Sequence, residues 1–282
     1  METLAKLTLE TQKNVIAALD EDIGSGDLTA QLIPAGHTAR GAVVSREDAV
    51  LCGTAWFDAC FQHLDKKARI RWFAHDGARI HSDQTLCEID ADTRALLTAE
   101  RAALNFLQLL SATATITQRY VDAVAGTGAQ IVDTRKTIPG LRLAQKYAVR
   151  CAGGTNHRVG LYDGILIKEN HIMAAGGVKA ALKQAHSLAP KSAFVQIEVE
   201  TLEQLEEALT SGAKMILLDN MDLAQMQRAV KINAKRASLE ASGGVSLERV
   251  RAIAETGVDR ISIGGLTKDV KAIDLSLRHI EK

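Results

Sequence analysis

From residue 128 onward short apolar runs alternate with amphipathic segments, and this alternation constrains the fold more than any other feature of the chain. The runs are "AQIVDTRK", "GILIKEN", "FVQIEVE", "KMILLDN", "SLEASGG" and "RISIGG". Helical stretches lie between them, among them "VKAALKQAHSL", "LEQLEEALT" and "LERVRAIAET", the second preceded by Thr201 and Gln204 at capping-box spacing. Repeated β-α units demand a parallel sheet, and right-handed crossovers that put the helices on one side bend that sheet towards a barrel. Six clear strands are fewer than a closed barrel uses. The expected fold class is therefore α/β, with an open, incomplete parallel α/β barrel of the TIM-like kind.

The first part of the chain has a different rhythm. Between about residues 40 and 92 the pattern is mostly strand-like, with "GAVVSRED", "ARIRWF" and "TLCEIDAD" separated by Gly and Asp turns. Residues 94–124 then read as one long helix, because Leu96, Ala103, Leu107, Leu110 and Ala114 recur at helical spacing while Arg101, Asn105 and Gln108 fall on another face. The expected division is an N-terminal α/β sandwich domain over 1–112 and an open-barrel catalytic domain over 113–282, with a C-terminal helix packing back on the N-terminal domain.

A chain of 282 residues with 46% hydrophobic content can bury a large core and a smaller satellite domain. Its 34 basic residues balance its 34 acidic ones, so no global field favours nucleic acid or a membrane surface, and neither is expected as a partner. Cys52, Cys60, Cys87 and Cys151 show no CxxC or zinc-type spacing and read as reduced, buried thiols of a cytoplasmic protein. The opening "METLAKLTLETQKNVIAALDED" mixes charge into its apolar positions, unlike a signal peptide, and no apolar run is long enough to span a bilayer.

Electrostatic function must then be local, and the strand ends supply it. The apolar runs stop in Asp133-Thr134-Arg135-Lys136, Lys168-Glu169-Asn170, Glu198 with Glu200, Asp219-Asn220, Glu240 to Gly244 and Ser262 to Gly265. In a parallel barrel these ends ring one mouth, where chemistry is placed. Arg135, Lys136 and Lys168 directly end apolar strands, so they converge on that mouth and call for a polyanionic ligand; Lys146 and Arg150, on "LAQKYAVR", read as a solvated helix face. Glu198, Glu200 and Asp219 suit either Mg²⁺ beside a phosphate or the hydroxyls of a sugar, and otherwise would complete a rim of ion pairs. The glycine turns "EASGGV" and "SIGGLT" suit a phosphate at the last two strands or are merely tight turns. His157 and Arg158 follow the loop "CAGGTN", which can bring them to the mouth. A lysine ending a barrel strand also suits a Schiff-base aldolase using Lys168, and a non-catalytic phosphometabolite-binding barrel is the third alternative.

Taken together, "TRKTIPGLR", "KYAVRCAGGTNHRVGLYDGILIKENHI", "IEVE", "LLDN", "EASGG" and "ISIGGLT", with "ALDEDIGSGDLT" and "AERAALNFLQLLSATAT" earlier in the chain, resemble quinolinate phosphoribosyltransferase, the decarboxylating nicotinate-nucleotide pyrophosphorylase. The resemblance spans nearly the whole chain. It implies a homodimer with sites shared between subunits, and a Mg²⁺-dependent transfer of phosphoribosyl from phosphoribosyl pyrophosphate to quinolinate in de novo NAD biosynthesis. Nicotinate mononucleotide, pyrophosphate and carbon dioxide are the products it implies. By the same resemblance Arg135, His157, Arg158 and Lys168 line the quinolinate pocket with Arg101 of the partner subunit, and Thr134 and Ser262 belong to the wider substrate-binding set. Lys136 and Lys168 take the pyrophosphate, and Ser242, Gly243, Gly244, Gly264 and Gly265 the 5′-phosphate. Glu198 and Asp219 take ribose hydroxyls and Mg²⁺, with Glu200 behind them. Lys136, Lys168, Glu198 and Asp219 are the catalytic set so implied. Ala152 stands where the family pattern leads one to expect glycine.

Overall fold

The computed structural model describes residues 2–190 and 192–280. The first elements are helix α1 (Glu2–Ile23), a 3-10 turn (Ala30–Leu32), strands β1 (Thr38–Ser45) and β2 (Ala49–Val50), helix α2 (Thr54–Leu64), strands β3 (Arg69–Trp72), β4 (Arg79–Ile80) and β5 (Thr85–Asp92), and the long helix α3 (Thr93–Ala123). There follow β6 (Gln130–Val132), α4 (Arg142–Cys151), β7 (Gly164–Ile167), α5 (Glu169–Ala175), α6 (Val178–Leu188), β8 (Phe194–Val199), α7 (Leu202–Thr210) and β9 (Met215–Asp219). The last are α8 (Leu223–Asn233), β10 (Ser238–Ser242), α9 (Leu247–Ala254), β11 (Arg260–Ser262), α10 (Gly265–Lys268) and β12 (Leu275–Ile280). Two compact units result. The first takes the chain to Gln118, the segment Thr137–Ala152 and the stretch from Thr267; the second takes Arg119–Lys136 and Gly153–Leu266. Residue 112, the expected boundary, lies inside α3.

In the first unit a sheet of order β12-β1-β5-β3 and the small pair β2-β4 pack with α1, α2, α3 and α4. The helical spacing of α3 has its expected consequence: Leu96, Ala103, Leu107, Leu110 and Ala114 are fully buried, and Arg101 and Asn105 are exposed. Helix α2 was hidden within a region that reads as mostly strand. Its apolar residues Trp56, Phe57, Cys60 and Phe61 sit on one helical face and are completely buried. Gly53 caps α2 at φ +107, where a side chain would be strained and its Cβ would meet Leu110 Cδ1 at 3.0 Å. Asp76 Oδ1 accepts from the first amides, Gly53 N at 3.1 Å and Thr54 N at 3.2 Å.

Two expectations need correction here. The C-terminal segment is not a helix but strand β12, antiparallel to β1 from Arg40 opposite Ile280 to Ser45 opposite Leu275. Without it β1 would leave its outer backbone groups as an open edge, and pairing satisfies them while Ile273 and Leu275 enter the core. Lys146, read as solvated, is buried to 2% exposure, whereas Arg150 is exposed.

The second unit is a parallel sheet of order β6-β11-β10-β9-β8-β7. Its helices α6, α7 and α9 bury the stripes Val178/Ala181/Leu182/Ala185, Leu205/Ala208/Leu209 and Val250/Ile253/Ala254. Among the described residues β6 and β7 are not paired with each other, so the barrel stays open. Thr155 bridges to Val132 beside β6. The cap before α7 forms as its spacing suggests, with Thr201 Oγ1 accepting from Gln204 N at 3.2 Å; the return contact reaches Glu200 N, one residue earlier than in the usual box.

Candidate active site

Sheet register decides which polar side chains meet. Glu198 lies opposite Leu217, Leu217 opposite Glu240, Glu240 opposite Arg260 and Arg260 opposite Gln130. Since strand side chains alternate, Glu198, Glu240 and Arg260 occupy one face at one level. The opposite parity carries Ile131, Ile197, Val199, Ile216, Leu218, Leu239, Ala241 and Ile261, all buried. One pleat further along come Asp219 opposite Ser242 and Ser262 opposite Val132, and beyond them the loops.

Acid and base are set side by side at this end. Lys168 Nζ lies 3.5 Å from Glu198 Oε2. Burial pushes the Glu198 carboxyl above its ordinary value, Lys168 pulls it down, and the charges of Asp219 and Glu200 push it up again. Asp219 and Glu200 thus act on Glu198 electrostatically, and their carboxylates are hard oxygen donors of the kind a divalent cation such as Mg²⁺ takes. His171 Nδ1 accepts from the Lys168 backbone N–H at 2.9 Å and fixes the turn into α5.

A second charged group is dominated by cations. Partial burial lowers the Arg158 guanidinium below its ordinary value, the neighbouring Arg135 lowers it further, and Asp163 opposes them. Asp163 also closes the loop, accepting from Val159 N at 2.7 Å and Gly160 N at 2.9 Å, while Arg158 Nη1 donates to Gly164 O at 2.9 Å. Two guanidiniums that act on each other where water is partly excluded favour an anionic ligand.

The loop that carries Arg158 is clamped from behind. Asp133, counted among the polar strand ends, is wholly buried: its Oδ1 accepts from His157 N at 2.8 Å and its Oδ2 from Asn156 Nδ2 at 2.6 Å. His157 Nδ1 accepts from Arg158 N at 2.8 Å, which assigns the ring proton to Nε2; that nitrogen donates to Gln196 Oε1 at 2.8 Å and lies 3.7 Å from Glu240 Oε1. Gln196 Nε2 and Arg260 Nε both donate to Glu240 Oε2, at 3.2 and 3.0 Å. His157 thus steadies the Arg158 backbone and anchors it to the barrel interior.

The glycine turns have steric reasons. Gly243 has φ +97, and a Cβ there would fall 2.0 Å from Asn220 Oδ1, so only glycine fits. Asn220, itself at φ +54, donates to Asp219 Oδ2 at 2.8 Å and from its backbone to Ser242 O at 3.0 Å, locking the two strand ends together. At Gly264 a Cβ would stand 3.0 Å from Lys136 Cδ, so the glycine lets the lysine stem pass; Lys136 N donates to Thr134 Oγ1 at 3.1 Å. Ala152, at φ −94, shows why glycine is not required there.

The second unit contains Thr134, Arg135, Lys136, His157, Arg158, Lys168, Glu198, Glu200, Asp219, Ser242, Gly243, Gly244, Ser262, Gly264 and Gly265. Arg101 is exposed on α3 of the first. Gln196, Arg260 and Asn156 were not foreseen as site residues; the first two lie within β8 and at the start of β11, away from the strand ends at the mouth, where only the register reveals their partner Glu240.

Residues 27–111 match the model of the quinolinate phosphoribosyl transferase N-terminal domain and residues 113–278 that of its C-terminal domain. The nicotinate-nucleotide pyrophosphorylase [carboxylating] of Mycobacterium leprae is 45% identical over 270 residues, 92% of this chain and 94% of the relative. The probable enzyme of that name from Bacillus subtilis is 41% identical over 257 residues, 91% and 89% of the two chains. The nicotinate-nucleotide pyrophosphorylase structure from Francisella tularensis superposes with a TM-score of 0.94 at 42% identity, covering 97% of each chain. Motifs, open barrel and these matches agree: the chain belongs to the quinolinate phosphoribosyltransferase family.

Proposed function

We propose that this chain transfers the phosphoribosyl group of phosphoribosyl pyrophosphate to quinolinate with loss of carbon dioxide, giving nicotinate mononucleotide for NAD synthesis. The observation that carries the reading is the pairing of two unlike charged groups in one unit: Arg158 under the charge of Arg135, and Lys168 beside Glu198, on which Glu200 and Asp219 also act. The first suits the two carboxylates of quinolinate, the second a sugar pyrophosphate.

In this reading Arg135 and Arg158 hold the pyridine dicarboxylate so that its ring nitrogen faces the ribose C1. Lys136 and Lys168 take the charge of the departing pyrophosphate, and Ser242, Gly243, Gly244, Ser262, Gly264 and Gly265 receive the 5′-phosphate. As the C1–oxygen bond breaks, positive charge grows on C1 and the ring oxygen. Glu198 and Asp219 stabilise that charge more than they stabilise the ground state. Attachment converts the ring nitrogen to a pyridinium, which can take up the electron pair that carbon dioxide leaves at C2. The protein's share is alignment and charge placement, with no covalent nucleophile. Mg²⁺, held by Glu198 and Asp219, would screen the pyrophosphate. The family matches support this transfer rather than a Schiff-base aldolase using Lys168.

Arg101 completes the quinolinate pocket of a partner subunit in a homodimer, and the protein works in the cytoplasm. Among the described residues no helix is long and apolar enough to cross a membrane. Incubating the protein with quinolinate, phosphoribosyl pyrophosphate and Mg²⁺ should release carbon dioxide and pyrophosphate in equal amounts. Release of neither by folded protein would overturn the reading. Arg101→Ala and Lys168→Ala proteins, each nearly inactive, should regain activity on subunit exchange; none despite proven exchange removes the shared site.

A further inference from the structure

The first unit holds a polar cluster that the reaction does not use. Cys52, Asp76 and Cys151 bring their sulfur and carboxylate atoms within 4.8 Å of one another, although the two cysteines are far apart in sequence. Asp76 does not have the character of a metal ligand here, since its Oδ1 accepts from Gly53 N and Thr54 N and its Oδ2 from the Tyr147 hydroxyl at 2.7 Å. That leaves two thiols facing each other. They differ in access: Cys52 is fully buried, and Cys151, the last residue of α4, is partly exposed. The other two cysteines, Cys60 and Cys87, are fully buried and belong to no such cluster.

We propose that Cys52 and Cys151 form a redox-sensitive dithiol, with Cys151 as the attacking sulfur and Cys52 as the resolving one, closing to an intramolecular disulfide when a low-molecular-weight disulfide such as oxidised glutathione is present. In the first step the Cys151 sulfur, having lost its proton, bonds to one glutathione sulfur; the glutathione S–S bond breaks and one glutathione thiolate leaves. In the second the deprotonated Cys52 sulfur bonds to Cys151, the mixed disulfide breaks and the second glutathione leaves. The two protons end on the two glutathione thiols, and the two electrons have reduced the oxidant.

The local chemistry fits this order. The hydrogen bond from Cys52 pulls the Cys151 thiol below its ordinary value, although partial burial opposes it. Burial, then the same contact, pushes Cys52 up. The Tyr147 hydroxyl gives its proton to Asp76 at 2.7 Å, and its contact with Cys151 adds to the lowering of that thiol. The backbone of Cys52 is held at both ends by Ser111, whose Oγ accepts from Cys52 N at 2.9 Å and donates to Cys52 O at 3.1 Å. Any movement that closes the bond therefore falls on Cys151 and the final turn of α4. From there the chain runs directly into the segment carrying Asn156, His157 and Arg158.

The test is thiol counting with peptide mapping on the folded full chain after exposure to oxidised glutathione. Wild type should fall from four titratable thiols to two, with a Cys52–Cys151 cross-linked peptide, and dithiothreitol should restore four. Cys52→Ser should instead stop at glutathione attached to Cys151, and Cys151→Ser should keep its remaining thiols. Four thiols surviving in wild type would overturn the proposal, as would a cross-link from Cys151 to Cys60 or Cys87, or wild type stopping at the same glutathione adduct as Cys52→Ser.

Discussion

The two units share apolar packing but differ in what else their interiors emphasise. The first fills its core with large apolar side chains: Trp56, Phe57 and Phe61 are wholly buried, with ring centroids of Phe57 4.9 Å from Phe61 and 5.3 Å from Trp72. The second buries Asp133, His157, Gln196 and Glu240 and joins them by hydrogen bonds and an ion pair to Arg260. Apolar packing gives stability without asking for exact partners, whereas buried polar groups cost free energy unless each is matched. The first arrangement builds a scaffold. The second holds a loop of charged residues in one position.

Mutations should separate these roles. The largest effect on stability is expected at Phe57→Ala, which leaves a cavity in the first core and should cost about 3–5 kcal/mol in denaturant titration. Activity per folded molecule should be little changed. Lys168→Ala should do the reverse, lowering kcat by about 10²–10³ with an unchanged unfolding midpoint, because its ammonium meets charge at the site and fills no core.

Arg260→Met tests whether the second interior depends on matching. It leaves Glu240 buried with its Oε2 deprived of one donor and should cost about 2–3 kcal/mol. Adding Glu240→Gln should recover part of that loss, measured as a double-mutant cycle. Equal, additive losses would mean the pair is unimportant.

A pH-dependent effect belongs to Asp58 in the first unit. Burial, opposed by the Trp72 Nε1–H bond and assisted by Asp76, raises its pKa from 3.8 to about 6. The folded protein therefore keeps a proton that the unfolded chain gives up, and stability from this group, full below pH 3.8, is lost as pH rises through 6. Asp58→Asn keeps an acceptor for Trp72, so its melting temperature should exceed that of wild type at pH 8 and match it near pH 4.

How far the sequence disclosed all this follows the same contrast. The six barrel strands were legible because short runs rich in apolar residues end abruptly in polar ones and alternate with helical segments, and α3 because its buried positions keep helical spacing. Helix α2 was obscured by neighbouring strand-like segments, and β12 because a terminal segment becomes a strand only when β1 offers it an edge. Arg135, Lys168, Glu198 and Asp219 stand at strand ends and could be picked out. Gln196 and Arg260 could not, since their meaning lies in cross-strand neighbours; Cys52 and Cys151 were set aside for want of close spacing, and only the fold brings them together.

The central claim is that the Arg135 and Arg158 guanidiniums of the second unit are matched to two carboxylates. Calorimetric titration with quinolinate and with nicotinate, which lacks the 2-carboxylate, tests it most directly. Quinolinate should bind at least about tenfold more tightly, since a lost charge-assisted contact is worth about 1.5–3 kcal/mol, and Arg158→Ala should shrink that preference. Equal affinity for the two acids, or a preference untouched by Arg158→Ala, would contradict the claim.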